Sequence, residues 1–450
     1  MAESLLNKRV DAIRRLARRG AIQALAKVVA TTRAEDLAAA MGHLARNEQR
    51  LVFGQVRSDA TAADLLVRVG DQDFLALTAD LPVDRLVRFF GEMEADDQTD
   101  LIELLPEDKR EAVLARLHGE EREQMEELLG YPPDSAGGIM SPLAFRLSED
   151  FTCRDAIAAV QEASDHELVY YVYVESESKQ LVGVTSLRNL LTHPPSTRLA
   201  DIMTTDVIAV DAHTDQEEVA RIAGRYDLLA VPVVDDQRRL LGIVTVDDVI
   251  DVIREEAAED MLLMAGVGEE PADSGAGNRL SNASRRLPWL LLTLLGGVII
   301  SEIIRQFNGV LSADLILAGF IPMLTGMSGN VGIQSATLTV RNIALGRLDN
   351  GIGPRLAGEA ITGLLLGVVF STLISAYCMA RYGDINTALA VGIAIACNTT
   401  AAAVMGMLVP LTLRRVGIDP AIATGPFVTT AMDGVGVTIY LGIAAALLSA

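Results

Sequence analysis

The sequence predicts a three-part chain: an all-α N-terminal superhelical domain, an α/β body built by duplication, and an α-helical membrane domain with five helices. Three observations carry that prediction. Apolar residues recur at helical spacing, with few strand signals, as far as about residue 132. Two stretches between residues 137 and 258 repeat one another. Beyond Ser284 the chain turns apolar in five runs long enough to cross a bilayer.

Charge divides the chain at the same place. The whole carries 38 Lys and Arg against 60 Asp and Glu, a net charge of −22. Residues 284–450 hold nine of the basic and seven of the acidic residues, which leaves 29 against 53 before them, a balance of −24. Such an excess of carboxylates argues against nucleic-acid binding and suits divalent cations. A solvated acidic surface would account for most of these residues. Cys153, Cys378 and Cys397 form no CxxC pair, which speaks against a zinc site or disulfide framework and fits a reducing compartment. The first twenty residues, MAESLLNKRVDAIRRLARRG, lack the apolar core of a signal peptide, so the front part is expected in the cytoplasm.

Residues 1–132 read as short helices. Leu and Val recur at helical spacing in PVDRLVRFFGEM, DQTDLIELLP and DKREAVLARLHG, with turns at Leu81-Pro82, Leu105-Pro106 and His118-Gly119. Helical hairpins of this size build a solenoid, usually a scaffold, whose one chemically suggestive turn is the acidic run from Glu92 to Asp97.

Residues 133–252 hold the duplication. GIMSPLAFRLSEDFTCRDAIAAV matches DIMTTDVIAVDAHTDQEEVARIA, offset by 63 positions at Ile139 and Ile202, and LVGVTSLRNLL matches LLGIVTVDDVI, offset by 59 at Gly183 and Gly242. Each copy alternates β-rich runs (YYVYV, AVPVV, LGIVTV) with amphipathic helices, a β-α-β-β-α unit that packs with its twin. The V-P-V-V-D…G-I-V-T-x-x-D arrangement from Val231 to Asp248 resembles that of cystathionine-β-synthase-type (CBS) domains in tandem. Residues 253–283 connect the halves: IREEAAEDMLLMAGV is helical with an acidic face, and GEEPADSGAGNRLSNAS leads into the membrane.

Residues 284–450 carry spans expected near 287–304, 311–340, 356–380, 385–413 and 420–448. With the front part inside, seven Arg residues flank the inner ends and only Arg305 and Arg381 the outer ends, so the C-terminus is expected outside. Asp433 stands midway through the last apolar run. A charge at that depth is costly and should face an interior or a wet path; a protonated or Thr-bonded carboxyl that pins packing is the alternative. In the second span Asn330, Gln334 and Thr337 share one helical face beside Gly326, Ser328, Gly329 and Gly332. Polar bonding between helices would explain them equally well. The fourth span adds Asn398-Thr399-Thr400 and the fifth Thr429 and Thr430. Oxygen ligands of this kind suit a hard, largely hydrated cation such as Mg²⁺, and no K⁺-type carbonyl filter is visible.

The chain as a whole resembles the MgtE magnesium transporters. GxSGNxGIQ at 326–334, DPAIATGPFVTTAMD at 419–433 and GIVTVDDVIDVIREEAAEDM at 242–261 carry the resemblance, together with the order of domains. It implies a homodimer in the bacterial inner membrane, with a central pore lined by the second and fifth spans. Asp433 would bind hydrated Mg²⁺ there, with Thr429, Asn330 and Gln334 beside it. It also implies that cytosolic Mg²⁺ bridges carboxylates of the N domain, the CBS pair and a connecting plug helix and closes the pore. The matching positions are Glu92, Asp96, Asp227, Asp248, Asp251, Glu256, Glu259 and Asp260, with a backbone carbonyl from Gly137. Gly425 stands where some relatives have Asn, and Glu92 where Asp is expected. CBS pairs often hold adenine nucleotides, which implies ATP contacts at Tyr171, Arg188, Asn189, Leu228 and Thr245, although the first copy has Ser186 and Asn189 where the second has Thr245 and Asp248. The leading reading is a passive Mg²⁺ channel and not an enzyme, with no Walker motif to drive it. The alternatives are a membrane-anchored adenine-nucleotide sensor and a broader carrier of Co²⁺, Ni²⁺ or Mn²⁺.

Overall fold

Short amphipathic helices build the front of the molecule, and in each the residues three and four apart turn inward. The computed structural model describes residues 2–117, 119–162, 169–267, 279–347 and 351–448, so His118 of the expected His118-Gly119 turn and residues 268–278 of the expected linker lie outside the described residues. The helices are α1 (Ala2–Arg18), α2 (Ile22–Val29), α3 (Ala34–Met41), α4 (Arg46–Phe53), α5 (Asp59–Arg68), α6 (Asp71–Thr78), α7 (Val83–Phe90), α8 (Ala95–Leu104), α9 (Glu107–Leu114) and α10 (Gly119–Leu128). From α1 to α9 each odd helix packs on the next odd one, and from α2 to α10 each even helix on the next even one, the contact pattern of a solenoid. Pro82 and Pro106 sit at the N-caps of α7 and α9, where a missing N–H costs nothing. In α7, Leu86, Phe89 and Phe90 are buried on one face, and the Phe89 ring meets Phe53 edge-on with centroids 6.1 Å apart. Each such side chain contributes about 1.5–3 kcal/mol by leaving water.

The duplicated body follows the expected unit twice. The first copy comprises β1 (Arg146–Ser148), α11 (Cys153–Glu162), β2 (Tyr171–Glu175), β3 (Leu181–Ser186) and α12 (Leu187–Thr192). After α13 (Leu199–Ile202), the second comprises β4 (Val210–Asp211), α14 (Gln216–Tyr226), β5 (Ala230–Val234), β6 (Leu240–Thr245) and α15 (Val246–Met264). Each copy forms a three-stranded sheet in which the first strand pairs parallel and the hairpin antiparallel. Even the irregularities repeat, at Val174/Glu175 and at Val233/Val234.

The copies are crossed at their leading segments. Ser141, ahead of the first copy, exchanges backbone hydrogen bonds of 2.8 and 2.9 Å with Ile243 in the second, and Thr204, ahead of the second, exchanges bonds of 2.9 and 3.0 Å with Val184 in the first. The repeated glycines make room for this. A methyl group on Gly242 would lie 2.5 Å from Ser141 O, and one on Gly183 would lie 2.3 Å from Met203 Sδ.

Two compact units divide the chain after Arg254, inside α15. That helix runs unbroken through the point near 252 where the sequence suggested a boundary, because no Gly or Pro interrupts it between Val246 and Met264. It ends at Gly266, whose φ of +67° lets Gly266 and Val267 N–H donate back to Leu263 and Leu262 carbonyls.

The second unit contains α16 (Arg279–Gln306), α17 (Asn308–Ala313), α18 (Ile316–Ala344), α19 (Ile352–Tyr382), α20 (Ile385–Val416) and α21 (Pro426–Leu448). Five of these, all but α17, are long and apolar enough to cross a membrane. The second span starts at Ile316 and not near 311, because Asp314 ends α17 and its carboxylate accepts from Ile316 N–H at 3.0 Å. The fifth starts at Pro426 and not at 420: Asp419 caps a 3-10 turn over Pro420–Thr424, and Gly425 breaks away from helical angles with ψ of −138°. Buried Thr387 ties two corners together, its hydroxyl lying 2.7 Å from Asp314 Oδ2 and close to the Asp384 carboxylate that caps α20.

Candidate functional site

The apolar sequence of α21 makes it a helix throughout, so Thr429 and Asp433, four apart, share a face. That face meets α18. A methyl group on Gly329 would lie 3.8 Å from Thr429 Cγ2 and 4.0 Å from Asp433 Oδ1. On the other side, α16 and α21 enclose an apolar cleft of about 710 Å³ lined by Leu292, Leu295, Ile299 and Ile303 with Thr430, Gly434 and Val435. Asp433 is absent from its lining. That cleft is almost wholly apolar, and the carboxylate lies outside it.

One stripe of α18 is exposed: Pro322, Gly326, Asn330, Gln334, Thr337 and Arg341 succeed each other at steps of three or four. Amides and glycines on a face open to hydrocarbon would be costly, so the stripe calls for water or a protein partner. Behind it, Asn398 on α20 is 2% exposed and donates from Nδ2 to Gly436 O at 3.1 Å, one turn past Asp433. Its Oδ1 has no hydrogen-bond partner among the described residues.

The end of α15 rests on the start of α21. A methyl group on Gly425 would lie 3.0 Å from Met264 O, and one on Gly266 would lie 2.6 Å from Pro426 Cδ. One turn earlier, burial and then the charges of Asp419, Glu256 and Glu259 push the Asp260 carboxyl up to about 6. Asp419 was not among the residues singled out from the sequence; its part in the DPAIATG motif gave no sign that it would face α15.

A second acidic group lies within the first unit. Burial, then Glu94 and Asp248, push the Asp97 carboxyl up to about 7. Burial also raises Asp248, against the lowering effect of its bonds from Thr245, and raises Glu94, helped by Asp248 and Asp247. Glu92 is exposed and Asp96 is 7% exposed within α8, so the carboxylates that face Asp248 are Glu94 and Asp97. Helix phase explains the difference: 94 and 97 are three apart and share a face that 96 does not. Asp227 is exposed and ends α14 at φ of +53°, and Asp251 pairs with Arg254 at 3.0 Å. Gly137 is buried against the Tyr131 ring and donates to Ala212 O at 2.8 Å. Among the described residues, no three His, Cys, Asp or Glu side chains converge into a preformed metal cage. The carboxylates are gathered within electrostatic reach and left repelling one another.

In the α/β body Phe145, Tyr171, Tyr173, Ala230, Ile243 and Thr245 line a narrow pocket. Tyr173 is 2% exposed, and its hydroxyl has no partner among the described residues. Arg188, Asn189 and Leu228 are not in the lining. Thr245 with Asp248, and Ser186 with Asn189, begin α15 and α12: Thr245 N–H donates to Asp248 at 3.2 Å, and Asn189 N–H to Ser186 Oγ at 3.2 Å.

Residues 32–134 match the family model of the MgtE intracellular N domain, 199–255 that of the CBS domain, and 321–443 that of MgtE, described as a divalent cation transporter. The magnesium transporter MgtE of Thermus thermophilus is 35% identical over 439 residues, 96% of either chain. This chain belongs to the MgtE magnesium transporter family. The MgtE proteins of Enterococcus faecalis and Bacillus subtilis are 40% identical over 72% and 37% identical over 79% of each chain. Among solved structures, the cytosolic domain of the Mg²⁺ channel MgtE in complex with ATP is similar at 34% identity and a TM-score of 0.51, covering 54% of this chain and 99% of that one. The soluble part of a magnesium transporter is similar at 30% identity and a TM-score of 0.50, covering 56% and 99%. The helical N domain, the CBS pair and the five apolar helices are therefore the MgtE fold class.

One further residue escaped the sequence reading. Glu359 on α19 lies 3.0 Å by its Oε2 from Ser335 Oγ on α18. It stands one turn from Arg355, and so reads as the polar flank of a span.

Proposed function

We propose that this MgtE protein conducts Mg²⁺ down its electrochemical gradient along a path lined by α18 and α21, and that cytosolic Mg²⁺ closes it. The observation that carries the reading is the half-buried Asp433 carboxylate against the glycine backbone of α18, turned from the apolar cleft. Mg²⁺ sheds water reluctantly, so one carboxylate holding a largely hydrated ion, with Thr429, Asn330 and Gln334 bonding its water shell, fits the donor set. The open polar stripe of α18 finds its cover in a second copy, which makes a homodimer with the path between protomers. The N-terminus lies in the cytoplasm and the C-terminus outside, as the Arg bias supports.

Closing follows from the acidic groups. Asp260 with Asp419, Glu256 and Glu259, and Asp97 with Glu94 and Asp248, repel when ionised. A divalent ion relieves the repulsion and favours the arrangement in which the end of α15 covers the start of α21. Glu92, Asp96, Asp227, Asp251 and the Gly137 carbonyl join as further ligands when the ion draws them in. Adenine nucleotide at the CBS pair is supported by the ATP complex of the similar MgtE cytosolic domain. Tyr171 and the Thr245 hydroxyl at the narrow pocket would meet it, and it would supply charge and contacts that bias the gate without being hydrolysed. Transport of Co²⁺, Ni²⁺ or Mn²⁺ is the second reading, and of the three the all-oxygen site suits Mn²⁺ best.

Mg²⁺ flux into liposomes by the purified full chain tests the path. Asp433→Asn keeps shape and loses charge, and flux should fall at least about tenfold. Wild-type flux through that variant would sink the assignment.

A further inference from the structure

The long apolar helices carry three carboxylates, Asp433 on α21, Glu302 on α16, paired with Arg305, and Glu359 on α19, and the last has no part in the path or the gate described above. It lies seven residues past Ile352, about 10 Å along α19, and an ionisable group there is costly without a partner. Its partner is Ser335, which is 3% exposed. Ser335 Oγ is also 2.7 Å from Ala403 O on α20, so three helices meet at one hydroxyl. The helices are close enough for the node to matter: a methyl group on Gly406 would lie 2.4 Å from Gly332 O and 2.8 Å from Ser335 Cβ.

We infer that Glu359 is a positioning residue for the ion path, acting through Ser335 to set the rotation of α18. The inference rests on the proposed path along α18. Ser335 follows Gln334 directly and lies five residues from Asn330, so a turn of α18 about its axis moves both amides relative to Asp433. A hydroxyl carries one proton for two oxygens. With Glu359 present, the node holds α18 to α19 and α20 together; without it, Ser335 bonds only to α20, and α18 loses this tie to α19 and shifts in rotation. An amide both donates and accepts, so Gln preserves the node and Ala does not.

The test is Mg²⁺ flux against Mg²⁺ concentration for the full chain in liposomes. Glu359→Ala and Ser335→Ala should each raise the half-saturating concentration about tenfold, the scale of one lost buried hydrogen bond, with maximal flux within about twofold of wild type. Ligands are displaced and not removed. Glu359→Gln should restore the wild-type value, and the double Ala variant should be no worse than either single one. Wild-type half-saturation in Glu359→Ala, or Glu359→Gln as impaired as Ala, overturns the inference. If Glu359→Ala does not fold, Ser335→Ala decides alone, since it loses one oxygen, and an unchanged value there is equally fatal. An inactive Asp433→Asn beside unaffected Glu359 and Ser335 variants would leave the path standing and remove only the positioning role, whereas an active Asp433→Asn would remove the path itself.

Discussion

Asp433 and Glu359 show what hydropathy can and cannot reveal about a single side chain. A carboxylate midway along an apolar run is visible in the letters alone. One that stands a turn from an Arg at a span's edge is not, because only the packing of α18 and α20 on α19 gives it a partner. Gly425 is a third case. The sequence marks it as a missing side chain, and the structure fills the vacated space with the Met264 carbonyl. Gly425→Asn should therefore push the end of α15 away and leave a channel that still conducts appreciably in millimolar Mg²⁺; closure as tight as wild type in patch recordings would refute this. Asp260 and Asp97 make a pH prediction. Their carboxyls titrate at about 6 and about 7 in the folded chain against an ordinary 3.8, so the folded form keeps protons that the unfolded form has released. The packed arrangement then loses stability as pH rises from 3.8, and the loss is complete above each folded value. In EDTA, α8 and α15 should be protected from hydrogen exchange at pH 5.5 and less so at pH 8, after correction for intrinsic rates, with Mg²⁺ removing the difference. Equal protection at the two pH values without Mg²⁺ would exclude a role for these groups.

At the scale of elements, α15 joins roles that the sequence assigned to separate segments. Its first turn is capped by Thr245 and Asp248, its middle carries Glu256, Glu259 and Asp260, and its last carbonyls reach Gly425. Helicity was legible from the absence of Gly and Pro, and the acidic face from its letters. The carboxylates opposite were harder to name, because Glu94, Asp97 and Asp419 are chosen by helix phase and by a loop's path, not by local pattern. The triple change Asp251→Asn, Glu256→Gln and Glu259→Gln removes repulsion and ligands together. It should make channel closure respond weakly to millimolar Mg²⁺, with flux at low Mg²⁺ unchanged; closure at the wild-type concentration would reduce the acidic face to a solvated surface. Span ends were the least legible feature. Asp314 and Gly425 shift two of them by five or six residues, through a carboxylate that stops one helix and starts another and through a backbone that leaves helical angles.

Over the whole molecule, the three-part order was readable because each part has its own period: short helical repeats, a duplicated α/β unit, long apolar runs. What the periods do not encode is pairing at long range. The N-terminal solenoid supplies Glu94 and Asp97 to the group around Asp248, so removing residues 1–132 should leave a conducting pore that closes poorly at high cytosolic Mg²⁺. Unchanged inhibition of the truncated chain in liposomes would show that the CBS pair and α15 suffice.

The crossed leading segments of the CBS pair bear on how such a body can arise. Ser141 pairs with a strand of the second copy and Thr204 with a strand of the first, so one sixty-residue unit by itself has both a bare strand edge and an unplaced lead. Its natural complement is another copy of itself, in a reciprocal exchange of arms. Joining the two copies head to tail turns that exchange into an internal contact without redrawing a hydrogen bond. Two units are therefore the smallest version of this region that closes on itself within a single polypeptide.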